Sequence, residues 1–169
     1  MFATTKGSAM SLFNKAFQFT EDNEGGFVDD PRDKGGATIA GVSSKYFPDD
    51  FQQIINAPNK EAQQKLIKDF YLREFWNPLY EQLIDKKLAI RLFDLGVNIW
   101  TVRAVKLLQN GLHIPADGIF GQGTLKVANN DEYAYEKLIH KAEDFYKSRK
   151  DFNIYGKGWI NRLYKPITV

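Results

Sequence analysis

The sequence contains no cysteine, which excludes disulfide bonds, thiolate nucleophiles and cysteine zinc sites. Only His113 and His140 could supply imidazole, so we expect neither a metal site with several histidine ligands nor any other cofactor. No apolar run approaches the roughly 18 residues of a membrane-spanning helix. The net charge is only +2, and no concentrated basic stripe of the kind that binds nucleic acid is present. We therefore expect neither nucleic acid binding nor membrane insertion.

Length and composition indicate a globular chain. Its 169 residues can bury a sizeable core, and 43% of them are hydrophobic and 14% aromatic. Apolar residues recur mostly at helical spacing, so we predict a mainly α fold. The predicted helices are one from about Met10 to Phe19 capped by Ser8 or Ser11, one beginning near Pro58, a buried one over 88–97, one over 102–108 that Gly111 ends in a left-handed conformation, and a last long one from about Asp131.

The segment from Glu24 to Ser43 differs from the rest of the chain. It contains five glycines and Pro31 among clustered aspartates, a composition that makes turns and a short hairpin rather than a helix. It directly follows the first amphipathic helix, and loops held by rigid elements often carry the chemistry of a protein. A solvated turn with acidic caps is the alternative interpretation.

Glu24 is the leading candidate for an acid within this segment. It follows an apolar helix and precedes two glycines, and a carboxyl group placed against a core can stay protonated near neutrality, as a general acid must. Cleavage of a glycosidic bond also needs a second group that stabilises the cationic sugar or activates water. Asp33 and Thr38 are the candidates, since a hairpin could return both towards Glu24. Gly35 and Gly36 would let a polymer approach closely and are candidate substrate-binding residues.

This order of residues resembles the signature of glycoside hydrolase family 108. The family comprises helical N-acetylmuramidases of phages and prophages, and some members carry the label secretion activator. The resemblance implies a lysozyme-like helical bundle in which the short hairpin or loop after the first helix carries the site, with Glu24 as the general acid. It rests on Glu24-Gly25-Gly26-Phe27-Val28, Asp30-Pro31, Asp33 and Gly35-Gly36-Ala37-Thr38 with Gly41.

A second resemblance concerns the partners of the acid. The order and spacing of Glu24, Asp33 and Thr38 are similar to those of the catalytic trio in lysozymes of T-even phages. This implies that Asp33 and Thr38 position or activate the attacking water. Asp29 and Asp30 stay open as alternatives for the second carboxylate, and Asp30 is also a candidate substrate-binding residue.

Two positions depart from the family pattern. Phe27 stands in place of the usual tyrosine and lacks its hydroxyl group. Ala40 stands before Gly41, where an aromatic or polar residue is common. Both differences would alter contacts with a sugar, and neither removes the acid.

The second half resembles a small helical peptidoglycan-binding module. We therefore predict two parts packed together, a lysozyme-like catalytic part over 8–90 and a peptidoglycan-binding-like part over 91–169. Core packing and support of the cleft are the alternative role for this half. The resemblance rests on Leu108-Gln109-Asn110-Gly111-Leu112, Asp117-Gly118-Ile119-Phe120-Gly121 and Thr124-Leu125, joined to the first part by Phe93-Asp94-Leu95-Gly96-Val97-Asn98.

Several further residues are candidate sugar contacts. Asn98 interrupts an apolar stretch, so it either caps a helix or faces the cleft. Flat rings suit the apolar face of a pyranose, although large aromatic residues lie more often in the core. The aromatic candidates are Trp100, Trp76, Trp159, Tyr71 and Tyr80.

The predicted function is a metal-independent peptidoglycan hydrolase that cleaves the β-1,4 bond between N-acetylmuramic acid and N-acetylglucosamine. The partner is then the peptidoglycan glycan strand. A non-catalytic wall-binding or secretion-accessory protein is the main alternative, and chitinase-like specificity is a third. The start of the sequence lacks the apolar core of a secretory signal. We therefore expect synthesis in the cytoplasm and action on the cell wall after release, by holin-type pores as for a prophage endolysin or by an unusual export route.

Overall fold

Helices dominate the computed structural model, which describes residues 10–23 and 36–169 and confirms the mainly α fold. In these two ranges a short hairpin follows the first helix, and the remaining elements are helical. The elements are α1 (Leu12–Glu21), β1 (Thr38–Ile39), β2 (Val42–Ser43), α2 (Pro48–Ile55), α3 (Lys60–Phe75), a 3-10 helix (Pro78–Gln82), α4 (Lys86–Ile99), α5 (Thr101–Gly111), α6 (Gln122–Asn129), α7 (Ala134–Lys147) and α8 (Phe152–Leu163).

Helix α1 begins as its sequence predicts. The Ser11 hydroxyl oxygen accepts a hydrogen bond from the Asn14 backbone N–H at 3.1 Å, which satisfies one of the free donors of the first turn. Phe13, Ala16 and Phe17 form its buried stripe. Ser11 is therefore the cap, while the other predicted candidate, Ser8, lies outside the described residues.

Helix α4 is the central element, and almost all of its residues are buried. Ile90 and Phe93 pack with α1, α2 and α3, whereas Leu88, Leu92 and Leu95 pack with α5, α6 and α7. The Asp85 carboxylate caps the helix by accepting from the backbone N–H groups of the first turn. One helix thus contributes to both groups of buried side chains, and the division into parts over 8–90 and 91–169 stays a prediction.

The hairpin that joins β1 to β2 is tight and antiparallel. Ile39 pairs with Val42 and Thr38 with Ser43, so Ala40 and Gly41 form a two-residue turn. Both turn residues have positive φ, 47° and 80°, as a type I′ turn requires. The Tyr71 hydroxyl of α3 donates to the Ala40 carbonyl oxygen at 2.6 Å and holds the turn against the helical body.

The prediction that Gly111 ends α5 in a left-handed conformation was wrong. Gly111 is the last helical residue, and His113 carries the positive φ, 57°. A Cβ on Gly111 would lie 3.1 Å from the Lys137 Cβ, so the glycine serves the close approach of α5 and α7. A glycine is therefore needed at position 111, but helix packing requires it and the backbone conformation does not.

Three helices escape prediction from periodicity, namely α2, α6 and α8. Helices α2 and α6 have only eight residues each, and α8 contains Gly156 and Gly158, which lower intrinsic helix propensity. A Cβ on Gly156 would meet the Phe152 ring at 2.4 Å, so that glycine makes room for the ring. The helix predicted as the last is therefore α7, and α8 follows it.

The polar motif of the second half forms a hydrogen-bonded turn. The buried Gln109 side chain donates to the Asp117 carboxylate at 2.8 Å and to the Thr124 hydroxyl at 3.1 Å, and it accepts from the Gly118 N–H at 2.9 Å. Gly118 has φ 78°, and a Cβ there would meet Val102 at 2.6 Å. These residues fix the path between α5 and α6, which accounts for the motif without a ligand.

We expect Ala40→Asn to stabilise the hairpin. A left-handed conformation costs an L-residue roughly 1–2 kcal/mol, and asparagine tolerates it better than alanine does. The free energy of unfolding in urea should therefore rise by about 0.5–1 kcal/mol. Ala37→Asn is the control, since Ala37 lies beside the same hairpin without a positive φ. Equal effects of the two substitutions would contradict the prediction.

Candidate functional site

A cleft of about 200 Å³ lies beside the hairpin, and we call it the hairpin cleft. The hairpin, the segment before α2, α3, the end of α4 and one residue of α8 form its walls. Most of its side chains are aromatic, which suits the apolar face of a sugar ring. The lining residues are Gly41, Ser43, Tyr46, Phe47, Phe70, Tyr71, Phe75, Val97, Asn98, Trp100 and Arg162.

Trp100 is the most unusual residue of the hairpin cleft. It joins α4 to α5 with φ 74°, a conformation that a bulky side chain rarely adopts. Trp100 is 51% exposed, although its ring lies 6.2–6.4 Å from the rings of Tyr46, Phe47 and Phe75. Strained residues of this kind cluster at functional sites. The backbone strain and the exposed ring together make Trp100 a candidate ligand contact.

Asn98 lies in the last turn of α4 and faces the hairpin cleft, as one of its two predicted roles requires. Its side-chain amide donates a hydrogen bond to the Tyr146 hydroxyl. Burial raises the pKa of Tyr146 above its usual value, so the phenol stays neutral as a hydrogen-bonding partner. The Tyr146 ring in turn stacks on Trp159 at 5.5 Å, which fixes the orientation of the amide.

A buried ionic network around Asp94 adjoins the hairpin cleft through Arg162. The Asp94 carboxylate accepts from the Thr20 hydroxyl at 3.0 Å and from the Arg162 guanidinium at 3.0 Å. Arg91, which is fully buried, lies 3.7 Å from the same carboxylate. The network joins the last turn of α1 to α4 and to α8. Because Arg162 also lines the cleft, one guanidinium links the core to the candidate site.

The chain end after α8 is tied to the end of α1 by the same network. Arg91 donates to the backbone carbonyl oxygens of Arg162 at 3.1 Å and Lys165 at 2.7 Å. The Lys165 ammonium donates to the Asn23 side-chain oxygen at 3.0 Å, and the Asn23 amide donates to the Phe19 carbonyl oxygen at 2.8 Å. These contacts fix the position of Asn23, which follows α1 and directly precedes Glu24 in the sequence.

The structure describes four of the eight predicted site residues. Asn98 and Trp100 line the hairpin cleft, whereas Thr38 and Gly36 belong to the hairpin without lining it. Gly36 has φ 74°, and a Cβ there would lie 2.8 Å from the Ser44 hydroxyl oxygen, so a glycine is required for the fold itself. Glu24, Asp30, Asp33 and Gly35 lie outside the described residues, as does the alternative carboxylate Asp29.

The other aromatic candidates have different surroundings. Trp76 packs against Phe13 and Phe93, and Tyr80 is fully buried, so both belong to the core. Tyr71 also lines the hairpin cleft, but it is almost fully buried and its hydroxyl donates to the hairpin turn. Trp159 is half-buried beside Tyr146 and keeps one side open to solvent.

A wider cavity of about 920 Å³ lies between α1 and α3. Its lining is mostly polar and charged, with Glu21, Asp22, Lys65 and Lys68 along it, and Phe17 is its only aromatic residue among those described. It lacks the exposed rings that sugar stacking needs. The hairpin cleft therefore remains the better candidate site.

Within residues 10–23 and 36–169, no group of three or more histidine, aspartate or glutamate side chains could hold a metal ion. No helix in those ranges is both long and apolar enough to cross a membrane. His113 and His140 are both exposed.

Sequence reasoning missed Asp94, Arg162 and Thr20 as parts of the site. A signal was present for Asp94, because Arg91 and Asp94 are charged residues in the most apolar segment of the chain. Charges in a buried helix must find partners, which predicts a buried pair. The partner on α8 could not be found in this way, since that helix was not predicted.

Residues 17–99 match the family model Glycosyl hydrolase 108. The matched range begins in α1 and ends at the last residue of α4. The match supports a glycoside hydrolase at the level of the family. The matched range ends at residue 99, so peptidoglycan binding by the second half stays a prediction.

Solved structures also match this chain. The structure of Brucella abortus SagA is similar with a TM-score of 0.73 and 26% sequence identity, and the match covers 89% of this chain and 88% of that chain. The similarity therefore extends over both halves of the fold. No curated protein matches the chain.

We expect glycine to be more stable than alanine at position 100. Trp100→Ala keeps the unfavourable positive φ, whereas Trp100→Gly relieves it, so the glycine variant should have the larger free energy of unfolding, by about 1 kcal/mol. Lys106, exposed within α5, is the reference position, where glycine should be less stable than alanine by a similar amount. The same order at both positions would show that Trp100 is unstrained.

We expect Asp94→Asn to destabilise the fold strongly. The substitution removes the carboxylate that compensates the fully buried Arg91 guanidinium, and an uncompensated buried charge costs about 3–5 kcal/mol. Urea denaturation measures the loss. Asp69→Asn is the control, because Asp69 forms an exposed pair with Lys65, worth about 1 kcal/mol or less. Equal small losses for both variants would contradict the role of Asp94.

Proposed function

We propose that this protein is a peptidoglycan hydrolase of the muramidase type, which cleaves the β-1,4 bond between N-acetylmuramic acid and N-acetylglucosamine. The observation that carries the proposal is the match of residues 17–99 to the Glycosyl hydrolase 108 family model. That range contains the acidic segment with Glu24 and the hairpin, and it ends beside the exposed ring of Trp100.

The proposed chemistry assigns Glu24 as the general acid that protonates the leaving glycosidic oxygen. Asp33 and Thr38 would hold the attacking water or stabilise the positive charge that develops on the sugar. We favour inversion of the anomeric centre, because the hydroxyl of Thr38 suits a bound water, whereas a directly attacking aspartate would give retention. No step in this scheme needs a metal ion.

The proposed substrate contacts divide between the hairpin and the end of α4. Trp100 offers a ring face to a pyranose, and the oriented Asn98 amide beside it can contact an N-acetyl group. Asp30, Gly35 and Gly36 are the proposed contacts of the acidic segment. Arg162 lines the same cleft, so it lowers the local cost of negative charge on a substrate.

The second candidate function is a wall-binding or secretion-accessory protein without turnover. The exposed Trp100 ring in the hairpin cleft favours it, because stacking of a ring on a sugar needs no acid. Storage in the cytoplasm followed by release to the wall belongs to the endolysin-like form of the main proposal and stays a prediction.

Glu24→Gln decides between the two functions. The substitution removes the acidic proton and keeps the shape of the side chain, so we expect at least a hundredfold loss of hydrolysis, since general acid catalysis contributes about 10²–10⁴-fold. Purified peptidoglycan is incubated with the wild type and the variant, and mass spectrometry identifies the soluble fragments. New reducing-end N-acetylmuramic acid should form with the wild type only.

Glu21→Gln is the matched control for this experiment. Glu21 ends α1 three residues before Glu24, and its carboxylate accepts a hydrogen bond from the exposed Gln64 side chain at 2.6 Å. Its neutralisation should leave the hydrolysis rate within about twofold. Wild-type protein that pellets with the wall and releases no fragment would support the binding protein instead. New reducing-end N-acetylglucosamine would exclude the muramidase.

A further inference from the structure

A second groove adjoins the hairpin cleft on the other side of Asn98 and Trp100, and we call it the arginine groove. It has a volume of about 220 Å³, and both of these residues line it as well as the cleft. Its remaining wall consists of Ile99, Arg103, Phe145, Tyr146, Arg149 and Trp159. A polymer strand bound on Trp100 could therefore extend a substituent into this groove.

The arginine groove holds two guanidinium groups and no acidic lining residue among those described. The Arg103 guanidinium lies 5.2 Å and the Arg149 guanidinium 5.6 Å from the centroid of the same Phe145 ring. Neither group has a carboxylate within 4 Å in the described part of the chain. Two like charges held against one ring repel each other, and an anion bound between or beside them removes that cost.

The N-terminus of α5 also favours an anion in the arginine groove. Arg103 lies in the first turn of α5, where the partial positive charge of the helix terminus disfavours a cation. No side chain among the described residues caps this terminus, and its first turn contains no acidic residue. A carboxylate in the groove would be favoured by both the helix terminus and the guanidinium groups.

We propose that the arginine groove binds a carboxylate of the stem peptide that peptidoglycan carries on N-acetylmuramic acid. This proposal rests on the proposed function, because that function places the glycan strand on Trp100. The stem peptide branches from the sugar and bears free carboxylates, so it is the anionic substituent within reach of a bound strand. Trp159, stacked on Tyr146 at the far wall, covers the apolar part of such a peptide.

The first test measures binding without hydrolysis. The probe is the synthetic tripeptide of alanine, γ-linked glutamate and diaminopimelate, and a version with all carboxylates amidated is the neutral comparison. We expect the free acid to bind the wild type at least tenfold more tightly than the amidated form, as measured by chemical shift perturbation. Arg103→Gln with Arg149→Gln should abolish this difference, whereas a double Lys substitution should keep part of it.

The second test measures hydrolysis of two substrates that differ only in the stem peptide. One is intact peptidoglycan and the other is the same material stripped of peptides by an amidase. The double glutamine variant should lose about tenfold in kcat/KM on the intact substrate and little on the stripped one. Lys60→Gln with Lys126→Gln is the matched control, since it removes two exposed charges elsewhere on the surface.

The two tests separate the failure of this proposal from that of the proposed function. If the wild type hydrolyses neither substrate, the muramidase proposal fails, and the tripeptide titration still decides the groove. Equal binding of the acid and amidated tripeptides would overturn the stem peptide proposal. Equal losses on intact and stripped substrates would also overturn it, because the arginines would then act on the glycan itself.

Discussion

The rest of this structure depends on the buried hydrogen bonds and ion pairs of the Asp94 carboxylate. This carboxylate lies in the helix that both groups of buried side chains share, and it accepts hydrogen bonds from α1 and from α8. Burying a charge costs several kcal/mol unless partners compensate it, so the network is a strong constraint on how the three helices meet. Arg91 also donates to the backbone carbonyl oxygens of Arg162 and Lys165, which ties the segment after α8 to this network.

The same helix carries this constraint to the surface. Arg91, Asp94 and Asn98 are spaced by three and four residues, so they form one polar stripe on a helix that is apolar elsewhere after its first turn. At its far end the stripe reaches the strained Trp100, where the hairpin cleft and the arginine groove meet. The buried end therefore fixes the position of the exposed end, which is what a preorganised binding site requires.

Sequence reasoning succeeded where a signal was local. The cap at Ser11, the buried helix around Leu92 and the hairpin before Ser43 each follow from spacing or turn composition, and the structure contains all three. It failed where a distant contact decides the outcome. Gly111 is small because Lys137 packs on it, and Asp94 is buried because Arg162 reaches it from a helix that periodicity did not reveal. Of the candidate site, the sequence singled out Asn98 and Trp100, which line the hairpin cleft, but it gave no signal for the groove behind them.

Two polar features of the second half, the turn around Gln109 and the arginine groove, have different roles. Gln109 belongs to the motif that resembles a binding module, and its side chain forms its hydrogen bonds with the turn before α6. The guanidinium groups of Arg103 and Arg149 have no carboxylate partner among the described residues, and both line the arginine groove beside Phe145. Being exposed, they can exchange their hydrogen bonds with water for charge-assisted bonds to an anion. The proposed contact with the wall therefore lies at the groove beside Trp100, and the motif around Gln109 has a structural role.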